Sequence, residues 1–119
     1  MDPEVRKALE ELSEVQQTTQ SRMYLLEQQK AQKQHALRRS VLTAREVEPL
    51  NDTVPLYKSV GKMFVISDKD TIMNELEEIA KDADSSVKKL TEAQKKMEQS
   101  LKEQQESVRD LVRRKGGSA

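Results

Sequence analysis

Apolar residues in this chain recur at alternating four- and three-residue steps over two long stretches, and that periodicity restricts the fold more than any other feature. A mean step of 3.5 keeps one stripe facing a partner helix and implies a left-handed supercoil. The first stretch covers residues 3–39. Asp2 is placed to N-cap it, and Pro3 suits the first helical position because its missing N–H would be unpaired there anyway. No Gly or Pro follows until Pro49. Among Val5, Leu9, Leu12, Gln16, Thr19, Met23, Leu26, Lys30, Lys33 and Leu37, six are apolar, and Ala8 and Val15 widen the stripe. The second stretch, residues 68–115, is stronger. Leu76, Ala80, Ala83, Val87, Leu90, Gln94, Met97, Leu101, Gln104, Val108 and Leu111 are apolar at nine of eleven positions. Ser67 with Asp70 three residues on reads as its capping box. Residues 116–119, Gly-Gly-Ser-Ala, are expected to fray as a flexible tail.

Composition removes the main alternatives. Charged residues make up 35% of the 119, and the only aromatics are Tyr24, Tyr57 and Phe64, too few large side chains to surround a compact core. Twenty-one basic and 21 acidic residues cancel, which argues against nucleic-acid binding driven by counterion release. There is no cysteine, so disulfides and thiol chemistry are excluded. No apolar run approaches the roughly 20 residues that cross a bilayer. Met1-Asp2-Pro3-Glu4 does not resemble a secretory leader, and a cytoplasmic protein without a membrane partner is expected.

Residues 40–53 break the pattern. Thr43-Ala44-Arg45-Glu46 resembles a second capping box, which predicts a short helical turn limited by Pro49, and Asn51-Asp52-Thr53 is turn chemistry. The only β-rich stretch follows at 54–67. Two short strands around Gly61-Lys62 predict a hairpin, because Gly tolerates the positive φ of a tight turn. The whole chain, 1–119, then reads as one mainly α domain: a long antiparallel two-helix coiled coil with a single β-hairpin between its helices. On these lengths the second helix overhangs the first by roughly ten residues, about 15 Å.

An isolated hairpin is marginal in water. Here both faces carry apolar groups, Met63 and Val65 on one and Phe64 and Ile66 on the other, and both edges are unpaired. Pairing with hairpins of other chains until the sheet closes into an intersubunit barrel is the simplest remedy. Leu56, Tyr57, Val60, Gly61, Met63, Phe64, Val65 and Ile66 are therefore the candidate assembly residues. At the far ends of the helices, Val5, Leu9, Leu12, Val108, Leu111 and Val112 either complete the seam or bind apolar segments of another protein.

Nothing marks an enzyme, and no cofactor or metal is expected. His35 is the only histidine and has no catalytic neighbours in sequence. Gly61-Lys62 lacks the preceding glycine of a phosphate loop. Glu75, Glu77, Glu78, Asp82 and Asp84 wrap around a helix instead of converging, which suits a solvated face. Lys30, Lys33, Arg38 and Arg39 form an acid-free basic stretch, read in the same way.

The middle of the chain resembles the β-class of the prefoldin family, the hexameric co-chaperones of archaea and eukaryotes. Leu42-Thr43 with Glu46, then Tyr57-Lys58-Ser59-Val60-Gly61-Lys62-Met63-Phe64-Val65-Ile66 and Ser67-Asp68-Lys69-Asp70, carry the resemblance. It implies partners: α-class and β-class subunits, joined through their hairpins in a β-barrel base from which six coiled coils hang. It also implies non-native clients, in eukaryotes chiefly actin and tubulin, held between the coiled coils and handed to the cytosolic chaperonin without ATP use. The rival is a structural coiled-coil tether, which accounts for both helices but not for the hairpin.

Overall fold

A computed structural model describes residues 1–116 in the order α1 (Pro3–Val47), β1 (Leu56–Val60), β2 (Met63–Ser67) and α2 (Lys69–Gly116). Two long helices with one antiparallel hairpin between them is the layout the periodicity predicts. Gly116 closes α2, and the remainder of the expected tail, residues 117–119, lies outside the described residues.

Helix α1 begins as its sequence dictates. The Asp2 carboxylate accepts the Glu4 N–H at 2.8 Å, and the Asp2 carbonyl accepts the Arg6 N–H at 3.0 Å. The expected break after residue 39 is absent, and α1 continues to Val47. Buried Ser40 and half-buried Ala44 and Val47 extend the seam beyond Leu37. Small residues at those positions hide the heptad from a count of large apolar groups. Thr43 is therefore no cap; its hydroxyl donates to the Arg39 carbonyl one turn back, at 2.8 Å. The helix ends just before Pro49, whose ring restricts Glu48. With 45 residues in α1 and 48 in α2, the expected overhang also disappears, and Glu4 in the first turn meets Lys115 in the last.

At the start of α2 the cap is Asp68, not Ser67. Asp68 Oδ1 accepts the Thr71 N–H at 3.3 Å, and its carbonyl accepts the Ile72 N–H at 3.1 Å. The Thr71 side chain, the largest influence, holds the Asp68 carboxyl below its ordinary value.

The chain divides into two compact units: Met1–Gln29 with the chain from Lys89 onward, and Lys30–Lys88. In the first unit the helices pack antiparallel along a narrow seam that buries Val5 and Gln94. The seam leaves the expected series at two places. Ala8 turns inward where Leu9 is exposed, and Gln105 where Gln104 is exposed. Each departure swaps the order of a three- and a four-residue step within one seven-residue repeat, Val5–Ala8–Leu12 and Leu101–Gln105–Val108, so the repeat itself is kept. Gln94 Nε2 donates to the Glu27 carboxylate at 2.7 Å across the pair. In the second unit Ser40 and Ala83 are the buried seam residues.

Candidate functional site

The hairpin is built around Gly61-Lys62, with Val60 paired to Met63 across a two-residue turn. Gly61 has φ +61°, and among the described residues no non-glycine residue has positive φ. Positive φ at the first central residue alone matches a type II′ turn, whose twist suits the flanking strands. The register pairs Tyr57 with Ile66 and Ser59 with Phe64 on one face, and Leu56 with Ser67, Lys58 with Val65 and Val60 with Met63 on the other.

These faces differ in what they meet. Lys58 Nζ bonds the Glu75 carboxylate at 2.8 Å, so its face turns toward α2. The opposite face looks away, leaving Phe64 74%, Ile66 65% and Tyr57 62% exposed. Met63, Val60 and Val65 are exposed as well, Leu56 is half-buried, and the sheet has two strands only, so both outer edges are open. Every expected assembly residue thus lies in one small ribbon whose apolar groups this chain leaves uncovered.

A lysine anchors the ribbon's base. Lys69 Nζ donates to the Glu48 carbonyl at 2.5 Å and the Leu50 carbonyl at 2.9 Å. It thereby satisfies acceptors at the C-terminal end of α1 from the first residue of α2. Sequence reading missed this clasp, since its partners lie 21 and 19 residues away. Asn51 shapes the connector by accepting the Val54 N–H at 3.0 Å on its carbonyl.

In the first unit, the ends of the helices form an open groove lined by Leu12, Val15, Val108 and Leu111 together with polar side chains, among them Glu4, Glu11, Gln104 and Arg114. Leu12, Val108, Leu111 and Val112 are half-buried and Leu9 is 38% exposed, so each presents some apolar surface. Val5 is the exception at 4%, placed in the seam. Beyond the groove Lys115 bonds Glu4 and stands 3.9 Å from Asp2. Glu4, followed by Asp2, raises the Lys115 pKa above its ordinary value.

The remaining candidates take ordinary surface roles. His35 is exposed on α1. Glu75 pairs with Lys58, Glu77 with Lys81 and Asp84 with Lys88, and among the described residues no three His, Asp or Glu groups converge as metal ligands. Among them too, no helix is long and apolar enough to cross a membrane. Leu42 and Ile79, exposed apolar residues outside the expected series, were legible only as side chains left over once the seam is assigned.

Comparison with known proteins agrees with this geometry. The family model described as Prefoldin subunit matches residues 10–115. Prefoldin subunit 1 of Bos taurus is 34% identical over 83 residues, covering 70% of this chain and 68% of the relative. Prefoldin subunit beta of Methanothrix thermoacetophila is 33% identical over 78 residues, covering 66% and 62%. The crystal structure of the prefoldin beta subunit from Thermococcus strain KS-1 aligns with a TM-score of 0.77 at 30% identity, covering 94% of this chain and 95% of that one.

Proposed function

The chain belongs to the prefoldin family, whose members are chaperone subunits, and we propose that it is one β-class subunit of a heterohexameric, ATP-independent co-chaperone of the cytoplasm. Its hairpin joins those of α-class and β-class subunits in a common β-barrel. Its helix ends hold non-native proteins, actin and tubulin among them, for delivery to the cytosolic chaperonin.

The hairpin's exposure carries this reading. Phe64, Ile66, Tyr57 and Met63 are each more than 60% exposed on a two-stranded sheet. Covering apolar surface gains about 25 cal/mol per Å², and a neighbour's strand would also satisfy the open edges. A tether needs no such ribbon.

Client holding is assigned to the helix ends of the first unit. The groove between Leu12, Val15, Val108 and Leu111 offers a small apolar contact, transient when alone. Several such ends on one base act together through effective concentration, so capture is useful while each contact still releases. Balanced charge along the helices keeps the empty complex soluble.

The test is aggregation of chemically unfolded actin, followed by light scattering. The chain reconstituted with an α-class prefoldin subunit should suppress it without ATP, and the chain alone should do so less well. Equal scattering with and without the reconstituted complex would refute the chaperone role.

A further inference from the structure

The hairpin stands on the helices without a core beneath it. Past the Leu56–Ser67 pair at its base, every residue of both strands is exposed, on the face turned toward α2 as well as on the opposite one. Apolar packing within the chain therefore does not fix the direction in which the ribbon points. Assembly does require a direction, because a neighbour's strand adds to a sheet edge only when the two backbones lie side by side at the hydrogen-bonding spacing.

Two lysines supply what packing does not. Lys58, in the middle of β1, reaches the Glu75 carboxylate of α2 at 2.8 Å. Among the described residues this is the one side-chain bond from the strands to either helix. Lys69, the first residue of α2, holds the Glu48 and Leu50 carbonyls just past α1, where Pro49 brings no N–H of its own. That clasp closes the excursion from Glu48 to Lys69 at its root, so the hairpin rises from a fixed base. The two ties differ in kind. Lys69 makes two charge-assisted bonds, the stronger class. The Lys58–Glu75 side chains are 47% and 38% exposed, and such a pair adds little to global stability. Its leverage is directional: where packing leaves several hairpin directions nearly equal in energy, even a weak tie decides which one is populated.

We infer that Lys58 and Lys69 are positioning residues for assembly. Lys69 holds the root of the hairpin closed, and Lys58 on Glu75 sets the angle at which the ribbon leaves α2. A neighbouring subunit then meets a ribbon already aimed, and the cost of ordering it on association falls. This role rests on the hairpin-driven assembly proposed above, but the aiming itself is a property of the isolated chain.

The chain has no cysteine, so introduced ones carry spin labels at chosen sites only. With labels at Lys62→Cys in the turn and Glu78→Cys on α2, the isolated chain should give one narrow distance distribution. Adding Lys58→Glu should broaden it, and the exchanged pair, Lys58→Glu with Glu75→Lys, should narrow it again. Titration calorimetry against an α-class prefoldin subunit should follow the same order. Lys58→Glu should raise the Kd about fivefold, and the exchanged pair should return it to near the parent value. Lys69→Met should raise it about tenfold, and Lys69→Arg, which keeps the charge and the donors, should raise it less. A distance distribution indifferent to Lys58→Glu would overturn the inference. So would an exchanged pair that binds as weakly as Lys58→Glu, since Lys58 would then touch the neighbour itself. If the parent binds, Phe64→Asp does not, and the lysine variants bind like the parent, hairpin assembly stands and the positioning role is wrong. A parent chain that does not bind the α-class subunit would sink the assembly reading and, with it, any role of these lysines in assembly.

Discussion

Gln94 reaches across the helix pair to the Glu27 carboxylate, 2.7 Å away, from a position 8% exposed in the seam. A polar group at such a position marks one register of the two helices at a cost in stability. Slipping α1 by a heptad would take Glu27 away from Gln94. Replacing Gln94 with Leu should raise the thermal midpoint by the equivalent of about 1 kcal/mol. Glu27 is solvent-exposed, so losing its partner costs it little. A lowered midpoint in circular dichroism melting would show that the pair stabilises instead of specifying.

Gly61 isolates the backbone's share of hairpin energetics. An added Cβ would meet nothing within 4 Å, so any penalty comes from φ +61° alone. Gly61→Val should weaken association with an α-class subunit by about 1–2 kcal/mol, roughly tenfold in Kd. Gly61→Asn should cost less, because Asn tolerates the left-handed region. Equal losses from both, by titration calorimetry, would contradict the backbone account.

Asp68 links helix capping to pH. Thr71 depresses its carboxyl pKa in the folded chain, so the cap's contribution is complete above the unfolded-state value. It is lost as pH falls through the lower folded-state value. Asp68→Ala should lower the unfolding midpoint at neutral pH, with the gap to the parent closing only below the ordinary carboxylate range. A gap that is unchanged in strong acid would remove Asp68 from the cap.

Much of this architecture was legible in the sequence, and the failures have physical causes. The helix start at Asp2-Pro3 and the turn at Gly61-Lys62 follow from local chemistry that no distant residue overrides. The end of α1 was misplaced because Ser40 and Ala44 occupy the seam without large side chains, while Thr43 and Glu46 imitate a cap inside a helix. The Lys69 clasp joins residues remote in sequence, and no local pattern announces it. Among the candidate client-binding residues, sequence spacing could not separate Val5, which is buried, from Leu9 one turn on, which is exposed. That distinction depends on where the stripe meets its partner helix.

The groove at the helix ends makes a separable prediction. Val108→Asp with Leu111→Asp replaces two of its apolar lining residues with carboxylates. Suppression of client aggregation should fall at least severalfold, while the native mass of the reconstituted complex stays the same. Helical content by circular dichroism guards against local unfolding. Full suppression by the doubly substituted complex would move client binding elsewhere.

The decisive quantity is the native mass of the chain mixed with an α-class prefoldin subunit, compared with that of the Phe64→Asp chain in the same mixture. Phe64 is 74% exposed on the outward hairpin face, so the substitution leaves the isolated chain's helices intact and puts a charge where neighbouring strands would bury it. The account predicts a hexameric mass for the parent chain and none for the variant. A hexamer from Phe64→Asp, or free monomers of the parent chain beside the α-class subunit, would contradict it.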